Sequence, residues 1–448
     1  MMMTNSRFVA RVLPCTVLFL AMALMNCSKR PLPAPSNATI TRLDNGMTVV
    51  LRPVKDSPLV ALVVLFSFGE DQDPPGKSGL AHLVEHVYVT AAAGSRPAVT
   101  VDDYMRRYPA GSNAQTGESY TVIATVFVPK MIEEELADAA ARMGDLRVTI
   151  TDLNREKPRV TAEVSNMFGG IPPLAARNHA TERVHPSPSG ARKGGSSDQV
   201  ARMSLNDVHT HWQRYYKPAN AVVVLTGGFD EPVAREAIAR HFGKLPAGER
   251  LPAPALRGTP RLGQFDPIPI QSLQADAAPQ ICIAYSAPPP SSDLYTSFLV
   301  LAARLSASSA SLKPAPYEFP VQFAPLDNPS VLLVTIPCKP GETPEKASAR
   351  LDHFITAAIA PELKSADLRT AKNMFGWMLG FSDLPDTAIG QNVYGAAFSI
   401  GRRYQLGMDG AKLNAALDGL TNEQLRLAAR EFFAPAKRAV VVVTPGRN

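Results

Sequence analysis

At 448 residues the chain is long enough for two or three domains with substantial cores. Its 45% hydrophobic and 19% charged residues place it among ordinary globular proteins and exclude a disordered chain. The net charge of +6 comes without a Lys/Arg run or an interleaved basic–aromatic stripe, which argues against a nucleic-acid partner.

The first predicted element is a targeting segment, residues 1–35, to be set apart from the fold. Arg7 and Arg11 form its charged start, and Val12 to Met25 is mostly apolar but short for a membrane span. Leu24-Met25-Asn26-Cys27 resembles the lipobox of bacterial lipoproteins, with Asn26 where a small residue is usual. This implies an exported protein of the periplasm, anchored to the outer membrane through lipidated Cys27, with Pro31, Pro33 and Pro35 as a tether. A cleaved secretion signal and an uncleaved anchor are the alternatives. Export permits disulfides, and Cys282 and Cys338 either pair or are small core residues.

From residue 36 the pattern is that of strands followed by helices, an α+β order rather than strict βαβ alternation. Met47 to Leu51, Val60 to Phe68 and Tyr120 to Val128 read as strands. Gly79 to Tyr88 and Pro129 to Met143 read as helices. The first of these helices carries His82-Leu83-Val84-Glu85-His86. On a helix this H-x-x-E-H pattern sets two imidazoles one turn apart on one face, with a carboxylate beside the second. Zinc takes nitrogen ligands at about 2 Å, keeps a position open for water, and needs a nearby carboxylate to receive that water's proton.

A third ligand is then required. Asp152 to Met167 has Leu153, Val160, Val164 and Met167 at helical spacing, and it brings Glu156 and Glu163 to one face, seven residues apart. Solvent exposure is the ordinary fate of such glutamates. Pro158 implies a helix that starts near Lys157 or bends there. His209 and His211, in the next helix, read as surface or capping histidines, since no further ligands accompany them.

The chain then repeats itself. Ser204-Leu205-Asn206-Asp207 opens a helix that ends at Tyr215-Tyr216-Lys217-Pro218 before the strand Ala221 to Leu225. Thr421-Asn422-Glu423-Gln424 opens another that ends at Phe432-Phe433-Ala434-Pro435 before Ala439 to Val443. Cap, helix, aromatic pair, proline and strand recur at an offset of 217 residues, the mark of a duplicated unit. Proline-rich residues 251–269 read as the linker between a first half, 36–250, and a second, 270–448.

With these residues in place, the sequence resembles the pitrilysin/insulin-degrading (insulinase) family of zinc metallopeptidases, in the roughly 450-residue bacterial form. That family has H-x-x-E-H, a glutamate ligand seventy-odd residues on, and another glutamate seven before it; here the step from His86 to Glu163 is 77 residues. Leu43-Asp44-Asn45-Gly46-Met47, Gly111-Ser112-Asn113-Ala114-Gln115-Thr116, His185-Pro186 and Tyr216-Lys217-Pro218-Ala219-Asn220 also follow the family order. The resemblance implies two homologous α/β-sandwich halves, each a mostly antiparallel sheet covered by helices, the first being the catalytic peptidase domain. It implies Zn2+ held by His82, His86 and Glu163, with Glu85 as general base and Glu156 orienting the site. Asn113 and Ala114 would lie along an extended peptide or unfolded segment. Tyr317 stands near the family's substrate-gripping tyrosine, but Ala310 occupies the place of the arginine seven before it, and Lys313 replaces the basic segment. Such chains commonly pair, as homodimers or with a related subunit, and a partner could supply that arginine. A non-catalytic scaffold of the same fold and a lipid-anchored binding protein without metal are the rival readings.

Overall fold

The computed structural model describes residues 38–187, 193–251, 259–263, 265–270, 278–312, 319–381 and 385–445. The targeting segment with Cys27 lies outside the described residues, as do Lys313 and Tyr317. In the first half, strands β1 (Thr39–Arg42), β2 (Thr48–Pro53), β3 (Val60–Phe66), β4 (Ser112–Thr116), β5 (Thr121–Phe127) and β6 (Ala221–Gly227) form one sheet in the order β1-β2-β6-β3-β5-β4. Around it run α1 (Leu80–Thr90), α2 (Ile132–Gly144), α3 (Ile150–Ser165), α4 (Pro172–Val184) and α5 (Leu205–Tyr215).

The second half supplies β7 (Phe265–Ile270), β8 (Gln280–Ser286), β9 (Val321–Phe323), β10 (Val331–Pro337) and β11 (Arg438–Pro445) in the order β7-β11-β8-β10-β9. Its helices include α6 (Val393–Gln405) and α7 (Asn422–Phe432). Aligned end to end, β2-β6-β3-β5-β4 and β7-β11-β8-β10-β9 have the same connectivity, and each sheet has one parallel pair, β2 with β6 and β7 with β11. The remaining pairs in both sheets are antiparallel. Ser204 and Thr421 both close capping boxes, with Asp207 and Gln424, at the same offset of 217 residues. The duplication is therefore one of topology as well as of sequence pattern.

β3 and β6 are apolar over nearly their whole length, because both faces of the sheet are covered. One face packs on the helices of its own half. The other is covered by α6, from the second half, through Val393 and Ala397. Reciprocally, α4 of the first half lays Ala175, Ala176, Ala180 and Val184 on Cys282, Ala284, Ala439 and Val441 of the second sheet. The exchange needs small residues: a Cβ on Gly401 would fall 2.3 Å from a methyl of Leu65. It also buries Arg402, whose guanidinium lies 4.0 Å over the Tyr120 ring and donates through Nε and Nη2 to the Leu326 carbonyl at 3.1 and 2.8 Å. Arg402→Ala removes that cation–π contact and orphans a buried carbonyl, so a loss of about 3 kcal/mol is expected in urea unfolding. A change below about 0.5 kcal/mol, the range of surface substitutions, would show that this joint does not hold the halves.

Three expectations are corrected. The linker ends earlier than 269, because β7 starts at Phe265. β7 pairs only with β11, at the sheet edge, where Pro267 and Pro269 are tolerated despite having no N–H to give. The helix with Pro158 does not start near Lys157; it runs through the proline from Ile150 to Ser165, opened by a Thr149–Asp152 capping box, and gives up one backbone hydrogen bond there. His211 is not a surface group. It is buried against Phe68 and Tyr215, its ring nitrogens have no partner among the described residues, and burial pushes its pKa down to about 3, so it is a neutral core residue. Of the two readings of Cys282 and Cys338, the structure bears out small core residues, since both are buried free thiols.

Candidate metal centre

α1 is held at both ends by buried charged groups. At its start Gly79 adopts φ +93°, and the N–H groups of Gly79 and Ala81 donate to Asp73 at 2.7 and 2.8 Å. Burial pushes the Asp73 carboxyl up to about 7 against these hydrogen bonds. At its end the carbonyls of Tyr88 and Ala91 accept from Arg142 Nη1 at 2.6 and 3.3 Å, and Arg142 is in turn paired with Asp138. The positive group at the C-terminus and the negative one at the N-terminus both oppose the helix dipole. All of α1 except His82 is buried, so the imidazoles and Glu85 project from a fixed platform.

α3 brings the third group across from α1. Glu163 Oε2 lies 3.4 Å from His82 Nε2 and 3.4 Å from His86 Nε2, and one ligand atom from each of the three residues falls within 4.8 Å of the others. A direct charge-assisted hydrogen bond would be shorter, about 2.7–2.9 Å. The spacing instead matches the edge of a tetrahedron of ligands about 2.0–2.1 Å from zinc, which is about 3.3–3.4 Å. Two imidazole nitrogens and one carboxylate oxygen are also a donor set of zinc hydrolases. The residues fit the ion.

The other ring nitrogens are spoken for. His82 Nδ1 is 2.8 Å from the Gly194 carbonyl and His86 Nδ1 is 3.4 Å from Glu156 Oε2. Donation by both Nδ1–H groups leaves both Nε2 lone pairs facing Glu163. Glu156 is fully buried, and its Oε1 accepts from Arg155 Nε at 2.9 Å. Burial acts to raise its carboxyl, but His86 and Arg155 outweigh it and hold the group below its ordinary range. Glu163 shows the same contest, with burial opposed and overcome by its His82 and His86 neighbours. Burial would by itself lower His86, yet the neighbouring carboxylates of Glu156 and Glu163 push it up to about 10 in the metal-free protein.

Glu85 stands beside these ligands without joining them. Its Oε2 accepts a hydrogen bond from Thr116 Oγ1 at 2.7 Å, and burial raises its carboxyl despite His82, His86 and Thr116. Thr116 ends β4, the edge strand of the sheet, whose outer backbone is open to another strand. Alternation along β4 puts Ala114 and Thr116 on the α1 side, Ala114 packing against the core beneath it. Asn113 points to the opposite face, where its Nδ2 donates to Tyr394 Oη at 2.8 Å. The second half meets the turn after β4 at Ser119, whose hydroxyl donates to the Asn328 carbonyl.

Sequence reasoning quoted Thr116 within the Gly111–Thr116 segment but gave it no role, and it did not single out Asp73, Glu70 or Arg142. Thr116 had a usable signal, its two-residue step from Ala114. Asp73 and Glu70 lie in a run of acids that reads as a solvated loop, and Arg142 reads as the outer face of a helix.

Residues 202–375 match the family model described as Peptidase M16 inactive domain. That match begins beyond Glu163 and covers none of the site. The chain is 26% identical over 215 residues to Zinc protease PqqE of Helicobacter pylori, an alignment of 47% of this chain and 48% of that protein. It thus spans about half the length of that relative. In structure it is similar to a protease from Helicobacter pylori, with a TM-score of 0.76 at 19% identity over 93% of this chain and 100% of that one. It is also similar to the periplasmic protease PqqL from Escherichia coli, with a TM-score of 0.67 at 15% identity over 93% of this chain and 48% of that one. Residues 202–375 thus match an M16 domain model, part of the chain is similar in sequence to a zinc protease, and the whole shares the two-half fold of M16-like, or pitrilysin-type, proteases.

Proposed function

We propose that the chain is a zinc-dependent endopeptidase that hydrolyses peptides or unfolded segments in the bacterial envelope. The observation that carries this reading is the convergence of His82, His86 and Glu163, with Glu163 Oε2 3.4 Å from both Nε2 atoms, beside a buried carboxylate outside that cluster. Zinc, when bound, supplies Lewis acidity for the scissile carbonyl and acidifies water. Glu85 receives the proton of the attacking water and passes it to the leaving amine, aided by a raised carboxyl pKa. Thr116 holds one Glu85 oxygen and so aims the other. Glu156 orients His86. A substrate strand added to the β4 edge would run past Ala114 toward Glu85 and use the backbone of Asn113. Tyr317 is the second half's candidate contact with that strand.

Export through the N-terminal signal, lipid attachment at Cys27 and pairing with a second copy or related subunit complete the proposal. It is in keeping with the periplasmic protease among the structural relatives. Among the described residues no helix is long and apolar enough to cross a membrane. A second reading, a non-catalytic partner subunit, is favoured by Ala310 in place of an arginine.

The test is metal analysis of the purified mature protein with cleavage of a quenched fluorescent peptide library. We expect one zinc per chain, cleavage abolished by a chelator, and recovery on adding zinc. Absence of stoichiometric zinc overturns the proposal, while zinc without cleavage selects the partner-subunit reading.

A further inference from the structure

We propose that Glu70 is a positioning residue for His82, acting through Gly194, whose N–H it binds and whose carbonyl accepts the His82 Nδ1–H. The inference rests on the metal-centre reading above and adds to it the group that sets one ligand's orientation. Glu70 Oε1 accepts from Gly194 N at 2.8 Å, and the Gly194 carbonyl lies 2.8 Å from His82 Nδ1. One residue thus joins a buried carboxylate to an imidazole 12 positions along the chain, through a segment more than a hundred residues away from both.

That segment is held on either side, by Lys193 N–H on Glu182 at 3.1 Å and Ser196 N–H on the Ser78 carbonyl at 3.2 Å, and Glu70 fixes the Gly194 peptide between them. Gly194 and Gly195 adopt φ +73° and +119°, and Gly79, at the start of α1, adopts φ +93°. A Cβ on Gly195 would lie 2.6 Å from the Gly79 Cα, so the loop is pressed onto the helix start at a distance only glycine allows. Two adjacent glycines lose more backbone entropy on ordering than other residues do. A fixed acceptor is therefore needed to keep the Gly194 carbonyl aimed at the ring. Glu70 is buried, and burial raises its carboxyl against the opposing pull of Lys193 and the Gly194 N–H. The Glu70 backbone N–H also donates to the Gly117 carbonyl at 3.0 Å, immediately after Thr116. Glu70 stands where the loop that orients His82 meets the turn that carries the partner of Glu85.

The orientation matters because a neutral imidazole has one N–H and one lone pair. Loss of the Nδ1 acceptor lets the tautomers mix and the ring turn, and outer partners of this kind typically cost about 10–100-fold in metal affinity. The experiment compares wild type, Glu70→Ala, Glu70→Met and Glu70→Gln in the full mature chain. Zinc affinity is read by competition with a chromophoric chelator, and site geometry by the visible spectrum of the cobalt-substituted protein. We expect Ala and Met to weaken zinc by about 10–100-fold with an altered cobalt spectrum, and Gln, which retains an acceptor oxygen, to stay close to wild type. Met preserves side-chain bulk and so reports on the hydrogen bond if Ala fails to fold. Wild-type zinc affinity and an unchanged cobalt spectrum in folded Met or Ala overturn the inference and leave the metal centre intact. Equal loss in Gln and Met also overturns it, since the acceptor would then not be what matters. A wild type that binds no zinc overturns the metal centre itself.

Discussion

Glu85→Gln should lower kcat/KM for peptide cleavage by about 10²–10⁴-fold, the range over which general acid–base groups act, while the zinc content stays at the wild-type level. The two halves of this expectation come from different atoms. Glu85 is absent from the ligand cluster of His82, His86 and Glu163, so an isosteric amide removes no ligand. Its role as proton acceptor depends on a free carboxylate oxygen, and Thr116 occupies only Oε2. Glutamine offers Thr116 the same carbonyl-type acceptor, which preserves the turn at the end of β4 and so keeps the substrate edge in place. KM should therefore move little, with the loss concentrated in kcat. Kinetics on a quenched peptide, with zinc measured in both proteins, check the prediction. Equal turnover by the two would remove Glu85 from the mechanism, and loss of zinc in the variant would make it a ligand.

Much of the site was legible because its chemistry is local in sequence. One helical turn separates His82 from His86, and a face repeat of seven joins Glu156 to Glu163, so periodicity alone places each pair on one side of its helix. The duplication was legible for the same reason, since capping residues and aromatic pairs mark helix ends wherever they fall. The misreadings arose where the neighbour is distant along the chain. Nothing near α4 or α6 indicates that each lies on the other half's sheet, because a small-residue face suits any close packing partner. His211 obeys its local pattern, and what decides its surroundings is Phe68. β7 was hidden by its prolines, which signal a linker by composition but are compatible with an edge strand that pairs on one side. Glu70 and Arg142 are buried only because loops and helices from elsewhere close over them.

Glu163→Gln is the more severe test of the centre, because it keeps the shape of the third ligand and deletes its charge. Glu163 supplies the one anionic oxygen in the donor set, and both imidazoles face that oxygen at 3.4 Å. Zinc affinity should fall by more than the roughly 10–100-fold typical of losing an outer partner, which chelator competition measures directly. The metal-free protein should also be destabilised at neutral pH. His86, raised to about 10 by Glu156 and Glu163, contributes stability that is fully present below its ordinary value of 6.5 and is lost as pH rises through about 10. Glu163, held below its ordinary value of 4.5, contributes stability that is present above 4.5 and is lost as pH falls through its depressed pKa. Both contributions operate at pH 7, where the two carboxylates and the imidazolium attract one another. Removing Glu163 leaves His86 with Glu156 as its remaining paired carboxylate and a weaker pull from Glu85, so the metal-free melting temperature should drop at pH 7 and the difference should shrink above pH 10. Equal zinc affinity in wild type and Glu163→Gln would mean that the oxygen between the imidazoles is not a ligand, and the assignment of this centre would have to be abandoned.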